Sequence, residues 1–350
     1  MQPFLIDTGT TQDFARALLT YAEGVSAPRA AFSLPGLSLT LASDSAGYLE
    51  LCRRALVDDP LLARTGQKAL EVSVLDHLTH PDMPYSKWVG EMFGLSLVEE
   101  GLARGGFEGF FDVDRQLWQV YDPLRAKGIE ALAQAGQFAP WVASFPLRNF
   151  LHWAYQSMGW RIVHAGTLAV GGKGVMLIGA GGAGKSGTSL SGIRAGLDSA
   201  GDDYVAMNLD DGAVRAAPVM KLMKQDGKGL ARLGVDPVAL GLGDPNWQNK
   251  YEFDFEQLGR GRRATAIELK AIVLPRIAHA PRSVLKRAPS QVAMMNLAPS
   301  NLQQLPGGWR EAMRFTGRVA RELPAYYLDL SDDGPEIAGA IADLIEGRTG

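Results

Sequence analysis

Eight consecutive residues, Gly179-Ala-Gly-Gly-Ala-Gly184-Lys185-Ser186, constrain this chain more than any other segment. They fit G-x-x-x-x-G-K-[ST], a loop whose backbone N–H groups cradle phosphate oxygens. The flanks match that reading. Gly174-Val-Met-Leu-Ile-Gly179 is a short apolar run, as a buried strand requires. Residues 187–196 predict a helix that ends at a glycine. Strand, loop and helix start together aim backbone donors and the positive end of a helix dipole at one spot, which suits a polyphosphate. The candidate binding residues are Gly179, Gly181, Gly182, Ala183, Gly184, Lys185, Ser186 and Gly187. Lys185 would face the β- and γ-phosphates, and the Ser186 hydroxyl would ligate Mg²⁺.

Two neighbouring features strengthen this. Asp202-Asp203 follows one helix later, before the apolar run Tyr204-Val-Ala-Met207. One carboxylate could hold the metal and the other take a proton from an attacking hydroxyl. Adjacent strand residues point to opposite faces, so both reach one site only if the backbone turns there. His164 lies in residues 161–170, read as a single strand. Gly171-Gly-Lys-Gly174 turns that strand into the one before the loop, so a β-hairpin is expected there.

The rest of the chain sets the frame. The 350 residues allow one large domain or two ordinary ones, and 46% hydrophobic with 21% charged residues excludes global disorder. A net charge of −3 gives no reason to expect nucleic acid or a steered anionic surface. The single cysteine, Cys52, cannot form an internal disulfide and reads as a buried helical thiol. The first residues lack a basic start and a long apolar run, and no transmembrane segment is visible. The expected location is cytoplasmic, or attached to a membrane face.

Residues 11–22 predict a helix capped by Thr11, residues 32–41 a strand with a turn, and residues 107–121 a hairpin. Residues 146–158 predict a helix with Pro146 in its first turn. Further strands are expected at 203–208, 213–216, 268–273 and 325–330, and a helix at 334–346 running into a loose tail. The fold class is therefore α/β, of mixed α+β kind. An N-terminal α/β domain (1–145) would recognise an acceptor, and residues 146–350 would form the nucleotide-binding catalytic domain with a mixed sheet.

Weaker candidates remain. Residues 240–249, continuing into Arg260-Gly-Arg-Arg263, read as a solvated loop or as a lid that brings arginine to phosphate. Lys221, Lys224 and Arg276 could meet phosphate or be solvated. Asp76-His77 with His80 reads as a capped helix end more readily than as a metal site. Trp118, Trp141, Trp153 and Trp160 read as core and domain interface rather than as a ligand box.

His164-Ala165, the loop through Lys185-Ser186, and Asp202-Asp203 stand in register, 21 and 17 residues apart. The arrangement resembles the HPr kinase/phosphorylase family of the phosphoenolpyruvate-carboxykinase-like P-loop superfamily. The resemblance implies ATP and Mg²⁺ as cofactors, Asp202 as the general base, Asp203 near the metal with Ser186, and His164 as a catalytic-site residue beside Lys185. It also suggests homo-oligomers. Two departures stand out. The family's glutamate-containing motif has no clear match in residues 219–226, and the first half does not resemble the bacterial enzyme's own N-terminal domain. The expected activity is transfer of a γ-phosphoryl group to a hydroxyl on a protein or peptide serine, a sugar or a lipid. A nucleotide-binding regulatory module, or a phosphorylase or hydrolase, is the alternative.

Overall fold

The computed structural model describes residues 8–62, 67–85, 95–134, 136, 138, 140–258, 260–303, 306 and 308–348. The reading of the first seven residues, and of the last two in the tail, lies outside that set. The described chain is mixed α/β with mixed sheets. It divides into two compact units, Met1–Met158 and Gly159–Gly350. The division falls after residue 158 rather than after 145. The helix expected to open the second domain packs into the first, where the Phe150 ring leaves no room for a side chain on Gly128.

In the first unit the elements run α1 (Thr8–Gly24), β1 (Arg29–Leu34), β2 (Leu37–Ser43), α2 (Ala46–Ala55), β3 (Lys68–Asp76), α3 (Leu95–Arg104), β4 (Glu108–Asp112), β5 (Leu117–Asp122), β6 (Lys127–Leu132) and α4 (Arg148–Ser157). The sheet order is β1-β2-β3-β6-β5-β4. The pairs β2·β3 and β3·β6 are parallel and the others antiparallel. Alternation divides the strands between two layers. Trp118, Val120, Ile129 and Ala131 join Ala15, Leu18 and Leu102 in one core cluster. Thr11 is no cap: it lies inside α1 and is fully buried. Pro146 stands two residues ahead of α4, whose preceding Leu147 takes a left-handed backbone. Cys52 is buried on α2 as expected. Asp76 ends a strand rather than a helix, and its carboxylate accepts from the amides of Leu78 and Thr79. His80 bonds Asp44 at 2.5 Å and His77 stacks on Tyr85.

Glu130 and Gln119 face each other across β6 and β5, away from that cluster. Gln119 Nε2 donates to Glu130 Oε2 at 2.6 Å, and Asn149 Nδ2 donates to Gln119 Oε1 at 2.7 Å. Burial pushes the Glu130 carboxyl from 4.5 up to about 7, with Gln119 holding it partly back. A carboxyl raised on folding stabilises the fold below its unfolded pKa, and that stability is lost as pH rises through about 7. The loss is on the order of 3 kcal/mol. Chemical denaturation between pH 4 and 8 should show this decline, and Glu130→Gln should flatten it.

In the second unit follow β7 (Arg161–Val163), β8 (Gly166–Val170), β9 (Lys173–Leu177), α5 (Lys185–Ala195), β10 (Val205–Asp210), β11 (Ala213–Pro218), β12 (Leu222–Asp226), α6 (Gly227–Arg232), β13 (Lys250–Asp254), β14 (Ile267–Ile277), β15 (Val284–Ala288), α7 (Ser290–Gln303), α8 (Trp309–Glu322), β16 (Ala325–Leu330) and α9 (Gly334–Ile345). The expected hairpin is present: β8 and β9 pair antiparallel around Gly171-Gly172, both at positive φ. β9 lies parallel to β14, and β14 parallel to β16. β11, β10 and β7 continue the sheet antiparallel from the start of β14. One apolar cluster joins Leu190 and Ile193 of α5, Val273 and Ile341 of α9. Another joins Ile272, Leu274, Ala293 of α7 and Val319 of α8. Since Val273 and its neighbours Ile272 and Leu274 point oppositely, α5 and α9 cover one face and α7 and α8 the other. β12 and β13 form a separate two-stranded ribbon.

Candidate functional site

The sheet ends β9 where the glycine loop begins, and Ile178 still donates to Val273 O at 3.0 Å. Gly179, Gly182 and Gly184 then adopt φ of 146°, 80° and 101°. Side chains are strained at such angles, which explains glycine at these three positions. Gly184 is doubly constrained, because a Cβ there would lie 2.7 Å from Leu330 Cδ1. Helix α5 starts at Lys185, with Thr188 N donating to Gly184 O at 2.9 Å. The first-turn amides of a helix have no intrahelical partner, so loop and helix start form an anion-favouring end. Lys185 is buried and folds back over the loop, donating to Gly179 O at 2.7 Å and Ala180 O at 3.3 Å. Burial lowers its pKa, while Asp202 and Asp203 work against that.

The acid pair sits in a bend, not in the strand, because β10 starts only at Val205. That bend resolves the alternation problem. Thr167 on β8 pins it: Thr167 N donates to Gly201 O at 2.9 Å, and Ala200 N donates to Thr167 Oγ1 at 2.9 Å. Asp202 is 4% exposed and its Oδ1 has no hydrogen-bond partner. Burial raises its pKa; the hydroxyls of Ser189 and Ser186 pull it back, and Asp203 adds to the rise. Gly166 is fitted to the same place, since a Cβ there would lie 2.6 Å from Ser189 Oγ and 3.2 Å from Asp202 Oδ1.

Asp203 is held differently. His164 Nε2 lies 2.9 Å from its Oδ1 and Lys224 Nζ 2.7 Å from its Oδ2. Burial alone would raise this carboxyl, yet His164 and Lys224 together bring it far below the usual range. His164 stacks on Tyr204, with ring centroids 5.1 Å apart. It does not lie within one strand. The chain leaves β10 after Val163 and joins β9 at Gly166, and His164 stands at the switch.

The structure thus gathers Lys185, Ser186, Asp202, Asp203 and His164 around one loop. It adds residues that the sequence reading passed over: Gly166, Thr167 and Ser189. The spacing of Ser186 and Ser189, i and i+3 on a helix, was the available signal. Lys224 proves to be the partner of Asp203. Lys221, just before β12, is half-buried.

Arg276 does not reach the loop. Pro275, Ile277 and Leu330 are the nearest neighbours of the absent Gly184 side chain, so Arg276 points to the opposite face of β14. There it bonds Asp329 at 2.7 Å and lies over Tyr327. Arg263 is equally committed, to Asp254 at 2.6 Å and Glu256 at 3.2 Å. Residues 240–249 form turns organised by Asn246, which bonds Glu252 at 2.8 Å. The solvated-loop reading fits that segment.

No protein-family model matches the chain, and no curated protein is similar enough to it to count as a relative. No described helix is long and apolar enough to cross a membrane.

Proposed function

We propose that the second unit is a P-loop domain of the HPr-kinase-like kind and that it transfers the γ-phosphoryl group of ATP to a hydroxyl acceptor. One observation carries the reading. Two adjacent carboxyls beside a glycine loop are pushed in opposite directions, Asp202 up and Asp203 down. Neighbouring acids with divergent pKa values mark a division into base and fixed charge.

The acceptor oxygen would attack the γ-phosphorus in line as the bond from that phosphorus to the bridging oxygen breaks. Asp202 takes the hydroxyl proton; its Oδ1 is buried and has no hydrogen-bond partner of its own. The loop amides and Lys185 meet the charge on the transferring group. The Lys185 ammonium leaves the carbonyls of Gly179 and Ala180 for phosphate oxygens. Ser186 would hold Mg²⁺, which when bound would offset phosphate charge. Asp203 fits a ligand role poorly, because both its oxygens are already engaged, by His164 and by Lys224. It instead fixes His164 and Lys224 beside the base.

The purified chain should bind Mg-ATP and form ADP together with a phosphorylated alcohol when offered serine peptides, sugars or lipid alcohols. Binding without turnover on any acceptor would favour a regulatory module. Absence of Mg-ATP binding in calorimetry would end the proposal.

A further inference from the structure

Helix α8 carries a charge pattern that folding does not account for. Arg310, Arg314, Arg318 and Arg321 are all exposed. At about 100° per residue they fall within about 80° of one another, along about 16 Å of helix. The buried residues Ala312, Thr316, Val319 and Ala320 occupy the opposite side. Arg310, Arg314 and Arg318 stand at i, i+4 and i+8, a spacing at which like charges repel and weaken a helix. Compensation within the protein is slight. Arg314 lies 3.7 Å from Glu311, and Arg310 lies over the Trp309 ring. Among the described residues Arg310, Arg318 and Arg321 form no ion pair. Residues 290–322 hold these four arginines, Glu311 and Glu322 and no other charge, so the segment is net +2 within a chain of −3.

The neighbouring helix supplies an apolar part. α7 has no charged residue, and its Ala293 and Leu297 join Val319 and Ala320 of α8 in one core cluster. Met295 stands on the other side of α7 from that pair and is 72% exposed. Met295 and the arginine stripe therefore both turn away from the sheet. Trp309, at the start of α8, is 63% exposed. We infer that this outer face of α7 and α8 docks on an anionic lipid bilayer, with the four arginines over the headgroups and Met295 and Trp309 as apolar contacts beside them. Charge complementarity sets the sign of the partner, since basic side chains are drawn to anionic headgroups. The apolar pair selects a bilayer over a nucleic acid, whose phosphate backbone would leave Met295 and Trp309 in water. Arginine stems can lie along apolar lipid while their guanidinium groups stay among the phosphates, and tryptophan favours the membrane–water boundary. α5 and α9 pack on the other face of the sheet, so this surface is separate from the glycine loop's helix.

Sedimentation of the full chain with lipid vesicles tests this. The protein should pellet with phosphatidylcholine vesicles that contain about 30% phosphatidylserine, and stay in solution with phosphatidylcholine alone. Binding should fall as salt is raised. Arg314→Gln combined with Arg318→Gln should weaken it about 25-fold, at about fivefold for each charge removed. Arg314→Lys combined with Arg318→Lys keeps the charges and should bind within about twofold of wild type. Met295→Ser, which keeps every arginine, should also weaken binding. Failure of wild type to bind the anionic vesicles overturns the proposal, as does a double glutamine variant that binds like wild type. Equal pelleting with phosphatidylcholine alone removes the electrostatic basis. Binding to a DNA duplex as tight as to the vesicles, at the same salt, overturns the bilayer as the partner.

Discussion

Asp202→Asn should slow phosphoryl transfer by about 10² to 10⁴ while leaving Mg-ATP affinity nearly unchanged and raising the melting temperature. The two effects have one cause. Burial makes the charged form of Asp202 costly, as its raised pKa records. A base must be ionised to work, so the protein keeps a carboxylate where folding alone would prefer a neutral group. Asparagine has nearly the same shape, makes no charge and cannot take the proton. Removing the strain should stabilise by about 1 kcal/mol, a few degrees in Tm for a chain of this size. The pH dependence has a defined sign. The transfer rate should fall on the acid side with a midpoint above about 3.9, the ordinary aspartate value. The contribution of Asp202 to stability runs the other way, full below that value and lost as pH rises through the folded pKa. Rate and Tm measured from pH 4 to 8 on both proteins check this. A fall in Tm for Asp202→Asn would mean that the carboxylate is a structural acceptor and not a poised base.

The glycine loop was legible in the sequence because its requirements are local. Gly179, Gly182 and Gly184 occupy positive φ, and each position declares itself by its residue type. The β8–β9 hairpin was legible for the same reason, through Gly171-Gly172. What escaped the reading depends on partners distant in the chain. Lys224 sits in an ordinary alternating run, and only the β12–β13 ribbon brings it to Asp203. The break at His164 follows from a change of strand partner, which leaves no mark on residues 161–170. The placement of α4 depends on the close approach of Phe150 to Gly128, far upstream. Other elements were open to simple rules. Alternation along β14 already places Arg276 opposite Pro275 and Ile277. The row Arg310, Arg314, Arg318 against buried Ala312, Thr316 and Val319 marks α8 by its period.

Breaking the other half of the acid pair should have the opposite effect on stability. Lys224→Met removes a cation 2.7 Å from Asp203 Oδ2 and leaves His164 as the remaining side-chain partner. The side chains are 16% and 25% exposed, shielded enough for the loss to be felt. Removing one member of such a pair should cost about 2 to 3 kcal/mol, below the value for complete burial because water can reach the stranded carboxylate. The consequence passes to Asp202. With Asp203 less neutralised, its charge raises the Asp202 pKa further, so the acid limb of the rate profile should move to higher pH. Activity at neutral pH falls because less of the base is ionised, and raising the pH should recover part of it. No such recovery is expected for Asp202→Asn. Acid stability gives an independent readout. Asp203 has a depressed folded pKa, so its stabilisation is complete above the ordinary aspartate value of about 3.9 and is lost as pH falls below it. Lys224→Met should make that acid limb shallower. An unchanged rate profile in a destabilised Lys224→Met protein would leave the ion pair a structural clamp with no influence on the base.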